Sequence, residues 1–474
     1  MTGQAMKTVR HDSQSRIRYF GGGIFRKPRR RSEEAERTAP AGASPSATES
    51  HNTVAASELC WLLLRIHKIK PNGTNLPKLT SAKNRTTKTR VQRTPTGTAA
   101  TVTTKMGSLF SSTKYSVKEH GVFDRTMYDE YVAGDKFHDM SGKVVAITGT
   151  SVGGLGCYAA EVAIKKGTKI LLLLNRDSKT AKAGEEALLK IKKDTGASTE
   201  IKTIICDLQD LEVVKKAGEE VNKIADSNGG LDVLICNSGI MATRDKRTKD
   251  GFEVQMQTNQ LSHFLLSSIV WPSLVKASES RGEARLVTHS SGAREKPGSN
   301  LKEKFFQKCE PNTLGGDDTW TVSEMIFGCD GPWQRYHQTK LANSVFAIAA
   351  HRKCQEKGIG VKAMSAAPGL ASSNLFVSST HGDGLMNGWM AKTLMGGSHS
   401  AADGSLDICM CAFSPEANSG DFYEPEKRFT GAPVKSIAGG KAVKEGTEKH
   451  TMDEDNISGV WKWSEEALGI KFDI

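Results

Sequence analysis

Residues 143–156 read KVVAITGTSVGGLG. Residues 143–147 are a short apolar, β-branched run, residues 148–156 are rich in glycine, and residues 157–166 (CYAAEVAIKK) are helix formers. Strand, glycine turn and helix in that order is the setting a dinucleotide-binding turn requires. Absent Cβ atoms let backbone N–H groups and a helix N-terminus approach a pyrophosphate closely. Thr148, Gly149, Ser151, Gly153, Gly154, Leu155 and Gly156 are therefore the candidate phosphate-binding residues. The next apolar run, residues 169–174 (KILLLL), ends in Asn175-Arg176-Asp177. An acidic residue at such a strand end bonds a ribose 2′-hydroxyl, whereas arginine accommodates a 2′-phosphate. Arg176 points to NADP(H), with Asp177 beside it as the opposing signal.

Four more apolar runs end in polar turns. Residues 201–205 lead into Cys206-Asp207-Leu208, where Asp207 and Leu208 are set to meet an adenine edge. Residues 231–236 lead into Asn237-Ser238-Gly239, residues 284–288 into His289-Ser290-Ser291-Gly292, and residues 360–366 into Ala367-Pro368-Gly369. Short strands alternating with helical stretches predict an α/β class chain: a doubly wound parallel sheet of the Rossmann kind, one domain over residues 141–474. Ligands of such sheets lie at the carboxyl ends of the strands, which is where Asn237, Gly239, Pro368 and Gly369 fall.

Residues 335–347 (RYHQTKLANSVFA) put Tyr336 four positions before Lys340, so a helix carries both on one face. A free phenol titrates near pKa ~10, too high for a good base at neutral pH. A cation within about 4–6 Å favours the phenolate. The pair suits proton transfer to or from an alcohol.

Over residues 140–470 the ensemble resembles the short-chain dehydrogenase/reductase family. TNQLSHFLLS (residues 258–267), YHQTKLANSVFA and VWKWSEEALGI (residues 460–470) make it most similar to the retinol dehydrogenase-like and light-dependent protochlorophyllide reductase-like branch. The resemblance implies that Tyr336 is the general acid/base and that Lys340 lowers its pKa and bonds the nicotinamide ribose. It implies that Ser291 orients a substrate carbonyl and that Asn259 holds a water linking Lys340 to solvent. It also implies an NADPH/NADP+ cofactor and transfer of a hydride to or from a hydrophobic aldehyde, ketone or alcohol, retinal-like in character. The alternatives are light-driven reduction of protochlorophyllide, and an NADP(H)-binding sensor or scaffold without turnover. Two positions depart from the family pattern: Gly154 adds a residue before Leu155-Gly156, and Ser238 stands where alanine is usual.

Residues 296–333 are longer than the family's usual connection and read as an insertion beside the catalytic face, with Trp320, Phe327 and Trp333 available to a substrate. Residues 370–400 correspond to the family's substrate lid, where Leu385, Met386, Trp389, Met390 and Met395 suggest an apolar cover. The nine cysteines are odd in number and scattered, and Cys409-Met410-Cys411 lacks CxxC spacing. A reducing compartment and no metal site are the economical expectation.

The net charge of +12 is unevenly placed. Residues 1–105 hold 20 Lys and Arg against 6 Asp and Glu, so the remainder is nearly neutral and nucleic acid is not expected as a partner. Those residues are rich in Ser, Thr, Arg, Pro and Gly without periodicity, and are expected to be disordered. Their composition suits a plastid or mitochondrial targeting segment; without one the chain would be cytoplasmic. A start at Met106 would instead expose Met106-Gly107-Ser108-Leu109-Phe110-Ser111, a myristoylation pattern. Residues 106–140, with Tyr115, Phe123, Tyr128 and Tyr131, are expected to pack on the core. The run LCWLLL (residues 59–64) is too short to span a bilayer, so a soluble or membrane-peripheral protein is expected, with homo-oligomers common in the family.

Overall fold

The computed structural model describes residues 122–296, 298–311, 313, 331–373, 375 and 396–474. Helix α1 (Thr126–Ala133) precedes strand β1 (Val144–Thr148), helix α2 (Leu155–Lys165), β2 (Ile170–Asn175), α3 (Lys179–Thr195), β3 (Glu200–Ile205), α4 (Leu211–Asp226) and β4 (Val233–Cys236). After β4 come a single helical turn (Val254–Met256), a π turn (Gln257–Leu261), α5 (Ser262–Arg281), β5 (Ala284–His289), α6 (Pro332–Lys357) and β6 (Val361–Ala366). The two-residue strands β7 (Ala371–Ser372) and β8 (His399–Ser400) are followed by α7 (Leu406–Phe413), β9 (Phe422–Pro425), β10 (Pro433–Ala438), β11 (Lys441–Ala442) and α8 (Glu454–Leu468).

The main sheet runs β11-β10-β9-β6-β5-β4-β1-β2-β3. Its strands from β3 through β9 are parallel, so the doubly wound expectation stands for that part. Beyond β9 the sheet gains an antiparallel end. β9 pairs β10 and β10 pairs β11 antiparallel, because Arg428 and Gly431, both at positive φ, turn the chain tightly back beside β9. β1, β2, β4 and β5 are buried along their whole lengths, which explains their unbroken apolar runs: helices cover both faces. Alternate residues feed two cores. Val144, Ala146, Leu172 and Leu174 pack with α4, α5, α6 and α8, whereas Val145, Ile147, Leu171 and Leu173 pack with α1, α2, α3 and α7.

The helix ends follow from local chemistry. The side chains of Ser178 and Asp210 accept N–H bonds at the starts of α3 and α4. Pro332 opens α6, where its missing N–H costs nothing, and Gly358 closes it in the left-handed region. Residues 106–121 of the N-terminal extension, with Tyr115, lie outside the described residues. In the remainder Tyr128, Val132 and Phe137 are buried, and Phe123, which precedes α1, is 66% exposed. The insertion is partly core rather than loop. Phe305 and Phe306 are buried, and Phe306 lies 5.6 Å from the ring of Trp463 on α8. No described helix is long and apolar enough to cross a membrane.

Candidate active site

The glycine turn closes on the β2 and β4 ends. Asn175, the last residue of β2, accepts from the Thr150 N–H at 2.9 Å and donates to its hydroxyl at 2.8 Å. The Thr148 hydroxyl oxygen accepts from the N–H groups of Asn237 and Ser238 at 2.9 and 3.0 Å, and the Asn237 amide donates back to the carbonyls of Thr148 and Gly149. Gly149 sits at φ +75°, and a Cβ there would collide with the Ser238 hydroxyl. A Cβ at Gly156 would stand 2.5 Å from both the Asn237 amide nitrogen and the Gly149 carbonyl. The extra residue, Gly154, is absorbed as the N-cap of α2, so Leu155 and Gly156 form its first turn. Ser151 and Gly153 lie partly open at the mouth of that turn. This Cβ-free cradle ahead of a helix N-terminus fits a dinucleotide pyrophosphate.

The other expected cofactor residues sit at the same edge of the sheet. Arg176 is exposed just past β2, while Asp177 pairs with Lys182 at 2.8 Å. Asp207 is half-buried and accepts from the Gln209 N–H, and Leu208 is buried with its carbonyl held by Ser262. Gly239 faces Lys340: a Cβ there would lie 3.5 Å from Nζ. The Pro368 carbonyl is bonded by His399 Nε2 at 2.7 Å, and Gly369, at φ +62°, packs under Phe429.

Tyr336 and Lys340 emerge together from α6, both buried, with Nζ 5.8 Å from the phenol ring centroid. Ser291, the last residue before a 3₁₀ turn (Gly292–Glu295), stands beside the Tyr336 hydroxyl. Burial pushes the phenol up to about 12, against the opposing pull of the Ser291 side chain. Burial also pushes Lys340 down to about 7. Desolvation is the larger influence on each of the two groups. Lys340 Nζ donates to the His289 carbonyl at 2.8 Å and reaches Asn343 Oδ1 at 3.5 Å.

Asn259 lies in the π turn, whose extra residue frees its carbonyl from the regular helix ladder. Its side chain bonds Ile240 and Thr339, so it ties the β4 loop to α6. The Asn259 carbonyl accepts from Asn343 Nδ2 at 2.8 Å and from His263 Nδ1 at 3.0 Å. A carbonyl can only accept, so His263 carries its proton on Nδ1, and its Nε2 accepts from the Thr148 hydroxyl at 3.0 Å. His263 thus links the π turn to the dinucleotide turn as a neutral ring. His263, His289 and Asn343 escaped the sequence reading. The one available signal was spacing, with His263 a helical turn after Asn259 and Asn343 a turn after Lys340.

Trp333 is buried in the first turn of α6, its ring 6.2 Å from that of Tyr336. Leu385, Met386 and Trp389, with Trp320 and Phe327, lie outside the described residues. On either side of Leu385, Met386 and Trp389, β7 and β8 pair in parallel. No cluster of three metal-ligating side chains occurs among the described residues.

Burial holds His263 down to about 4 and both His289 and His337 down to about 3. In the unfolded chain each binds a proton below about 6.5, so stability falls as pH drops from 6.5 towards those values. Glu253, pushed up to about 7 by burial, takes up a proton in the fold and offsets one ring between 4.5 and 7. The net expectation from these four groups is a stability that falls as pH drops below 6. Urea unfolding midpoints at pH 7, 6 and 5 check this; midpoints that hold steady would mean the rings are charged in the fold.

A short chain dehydrogenase family model matches residues 143–302, which carry the dinucleotide turn, Asn259 and Ser291. An uncharacterized oxidoreductase of Schizosaccharomyces pombe is 31% identical over 241 residues, 50% of this chain and 62% of that protein, less than two thirds of its length. A short-chain dehydrogenase/reductase of Armillaria gallica is 28% identical over 330 residues, 69% of this chain and 90% of that one. The chloroplastic short-chain dehydrogenase TIC 32 A of Brassica napus is 28% identical over 246 residues, 52% of this chain and 69% of that one. The family model, these relatives and the site agree: residues 143–302 are a short-chain dehydrogenase region.

Proposed function

We propose that this chain is an NADP(H)-dependent oxidoreductase acting on a hydrophobic aldehyde, ketone or alcohol. The observation that carries the reading is the buried Tyr336 phenol, beside Ser291 and one helical turn from Lys340, at the strand ends that also form the dinucleotide cradle. A bound nicotinamide supplies or takes the hydride. In reduction Tyr336 donates the proton to the nascent alkoxide, and Ser291 steadies the charge developing on that oxygen. Lys340, held against the His289 carbonyl and beside Gly239, binds the ribose. Asn259 fixes the β4 loop against α6 and holds a water that links Lys340 to solvent.

NADP(H) is favoured over NAD(H) because Arg176 is exposed and makes no ion pair among the described residues, while Asp177 is engaged by Lys182. Trp333 beside Tyr336 supports an apolar substrate, and residues 370–400 serve as its lid, with Leu385, Met386 and Trp389 in its span. The basic N-terminal stretch and the chloroplastic relative support a plastid location.

The test is oxidation of NADPH by the purified full chain, in darkness, against hydrophobic aldehydes and ketones including retinal. Dark turnover that NADH supports poorly is the expected result. Tight NADPH binding without dark turnover on any carbonyl would overturn it, and protochlorophyllide under illumination would then separate a light-driven reductase from a sensor.

A further inference from the structure

Four side chains share one face of α6: Trp333, Tyr336, His337 and Lys340 follow one another at the spacing of helical turns. Two of them carry the proton chemistry proposed above. The other two do something less expected of an apolar wall. Trp333 and His337 are 8% and 2% exposed, and their rings lie 6.0 Å apart, each about as far from the ring of Tyr336. Trp333 Nε1 and His337 Nδ1 are both buried with no hydrogen-bond partner among the described residues.

Such groups are costly. A buried polar atom left unpaired loses its water without compensation, and indole N–H and imidazole usually find partners when buried. Phenylalanine or leucine would line an apolar pocket at both positions without that cost. The His337 ring is neutral: burial, then the nearby Lys296 ammonium, hold its pKa down to about 3. Lys296 follows the 3₁₀ turn that Ser291 begins, so His337 stands between the proton-donating face of α6 and the Ser291 side of the site. The two nitrogens are complementary. Trp333 Nε1 can only donate, while a neutral imidazole nitrogen donates or accepts according to its tautomer. One oxygen can bond two nitrogens that lie up to about 6 Å apart.

We propose that Trp333 and His337 form a specificity pair that recognises a second oxygen on the substrate, a hydroxyl or keto group close to the reacting carbonyl. The proposal rests on the carbonyl-reductase reading and narrows it: the substrate is an oxygenated hydrophobic carbonyl compound rather than a plain hydrocarbon aldehyde. Trp333 donates to that oxygen. His337 Nδ1 accepts from it if it is a hydroxyl, or donates to it if it is a carbonyl.

The experiment compares matched pairs, a monoketone against the 1,2-diketone and the α-hydroxyketone of the same carbon skeleton, with the full chain and NADPH. Expected is a kcat/KM for the oxygenated member about ten- to a hundredfold above that of the monoketone. His337→Phe and Trp333→Phe should each shrink that ratio towards one, chiefly by lowering kcat/KM for the oxygenated member. NADPH affinity, read by fluorescence titration, reports whether either variant has lost its fold. Equal kcat/KM within the pairs for the unaltered protein would overturn the proposal while leaving the carbonyl-reductase reading intact. A preference that survives both substitutions would also overturn it. Absence of turnover on every member would instead count against the underlying reading, and with it the proposal.

Discussion

Tyr336→Phe should lower kcat for carbonyl reduction by about a hundred- to ten-thousandfold while leaving NADPH affinity within a few-fold of the starting value. The substitution removes one oxygen from a ring that is otherwise packed against Trp333 and His337, so the helix and the cradle at the β1 and β4 ends keep their shape. What is lost is the phenol hydroxyl beside Ser291 on the face shared with Lys340. A phenol pushed up to about 12 is a poor base but a ready partner for a developing alkoxide, whose own proton affinity is higher still. Lys340→Met should behave differently. Its Nζ contacts the His289 carbonyl and faces Gly239, so both cofactor affinity and rate should fall. Titration of NADPH fluorescence alongside single-turnover rates distinguishes the two patterns. A Tyr336→Phe protein that kept its rate would remove the phenol from the chemistry and revive the sensor alternative.

The sequence disclosed those parts of the site that obey a local rule. The glycine turn could be read because Gly149 and Gly156 answer to backbone geometry within one strand–turn–helix unit. Tyr336 and Lys340 could be read because a helix fixes their spacing. The sheet was legible as far as its strands are buried on both faces, as in the unbroken apolar β1 and β2. The antiparallel strands β10 and β11 were not, because residues 433–442 (PVKSIAGGKA) lie at an edge and carry mixed polarity. Likewise hidden was the convergence of His263 and Asn343 on the Asn259 carbonyl. Their meeting comes from a π turn and from packing of α5 against α6. Neither leaves a periodic trace.

The largest stability effect should come from Arg294, whose guanidinium is 1% exposed three residues after Ser291. It donates to both oxygens of Glu448 and, at 3.0 Å, to Glu424, and it lies 4.1 Å from the centroid of the Phe422 ring. Burial alone would raise the Glu448 carboxyl, but the guanidinium beside it holds it below the ordinary range. Arg294→Ala leaves two buried carboxylates facing one another without a counter-charge, and breaking such a network costs about 3–5 kcal/mol. The pH dependence identifies the cause. In the unaltered protein the depressed Glu448 contributes stability above its unfolded pKa, and that contribution fades as pH falls through the folded value. In Arg294→Ala the sign reverses, since protonating the stranded carboxylates relieves their repulsion. The deficit in the urea midpoint should therefore be largest near pH 7 and narrow towards pH 5. The double variant Arg294→Met, Glu448→Leu removes both the cation and one anion, and should recover part of the loss at pH 7. A deficit that does not change with pH would mean that lost packing on Phe422, not charge, is what Arg294 supplies. Because the same side chain anchors the turn that presents Ser291, the folded fraction of Arg294→Ala should also show a reduced rate with Tyr336 intact.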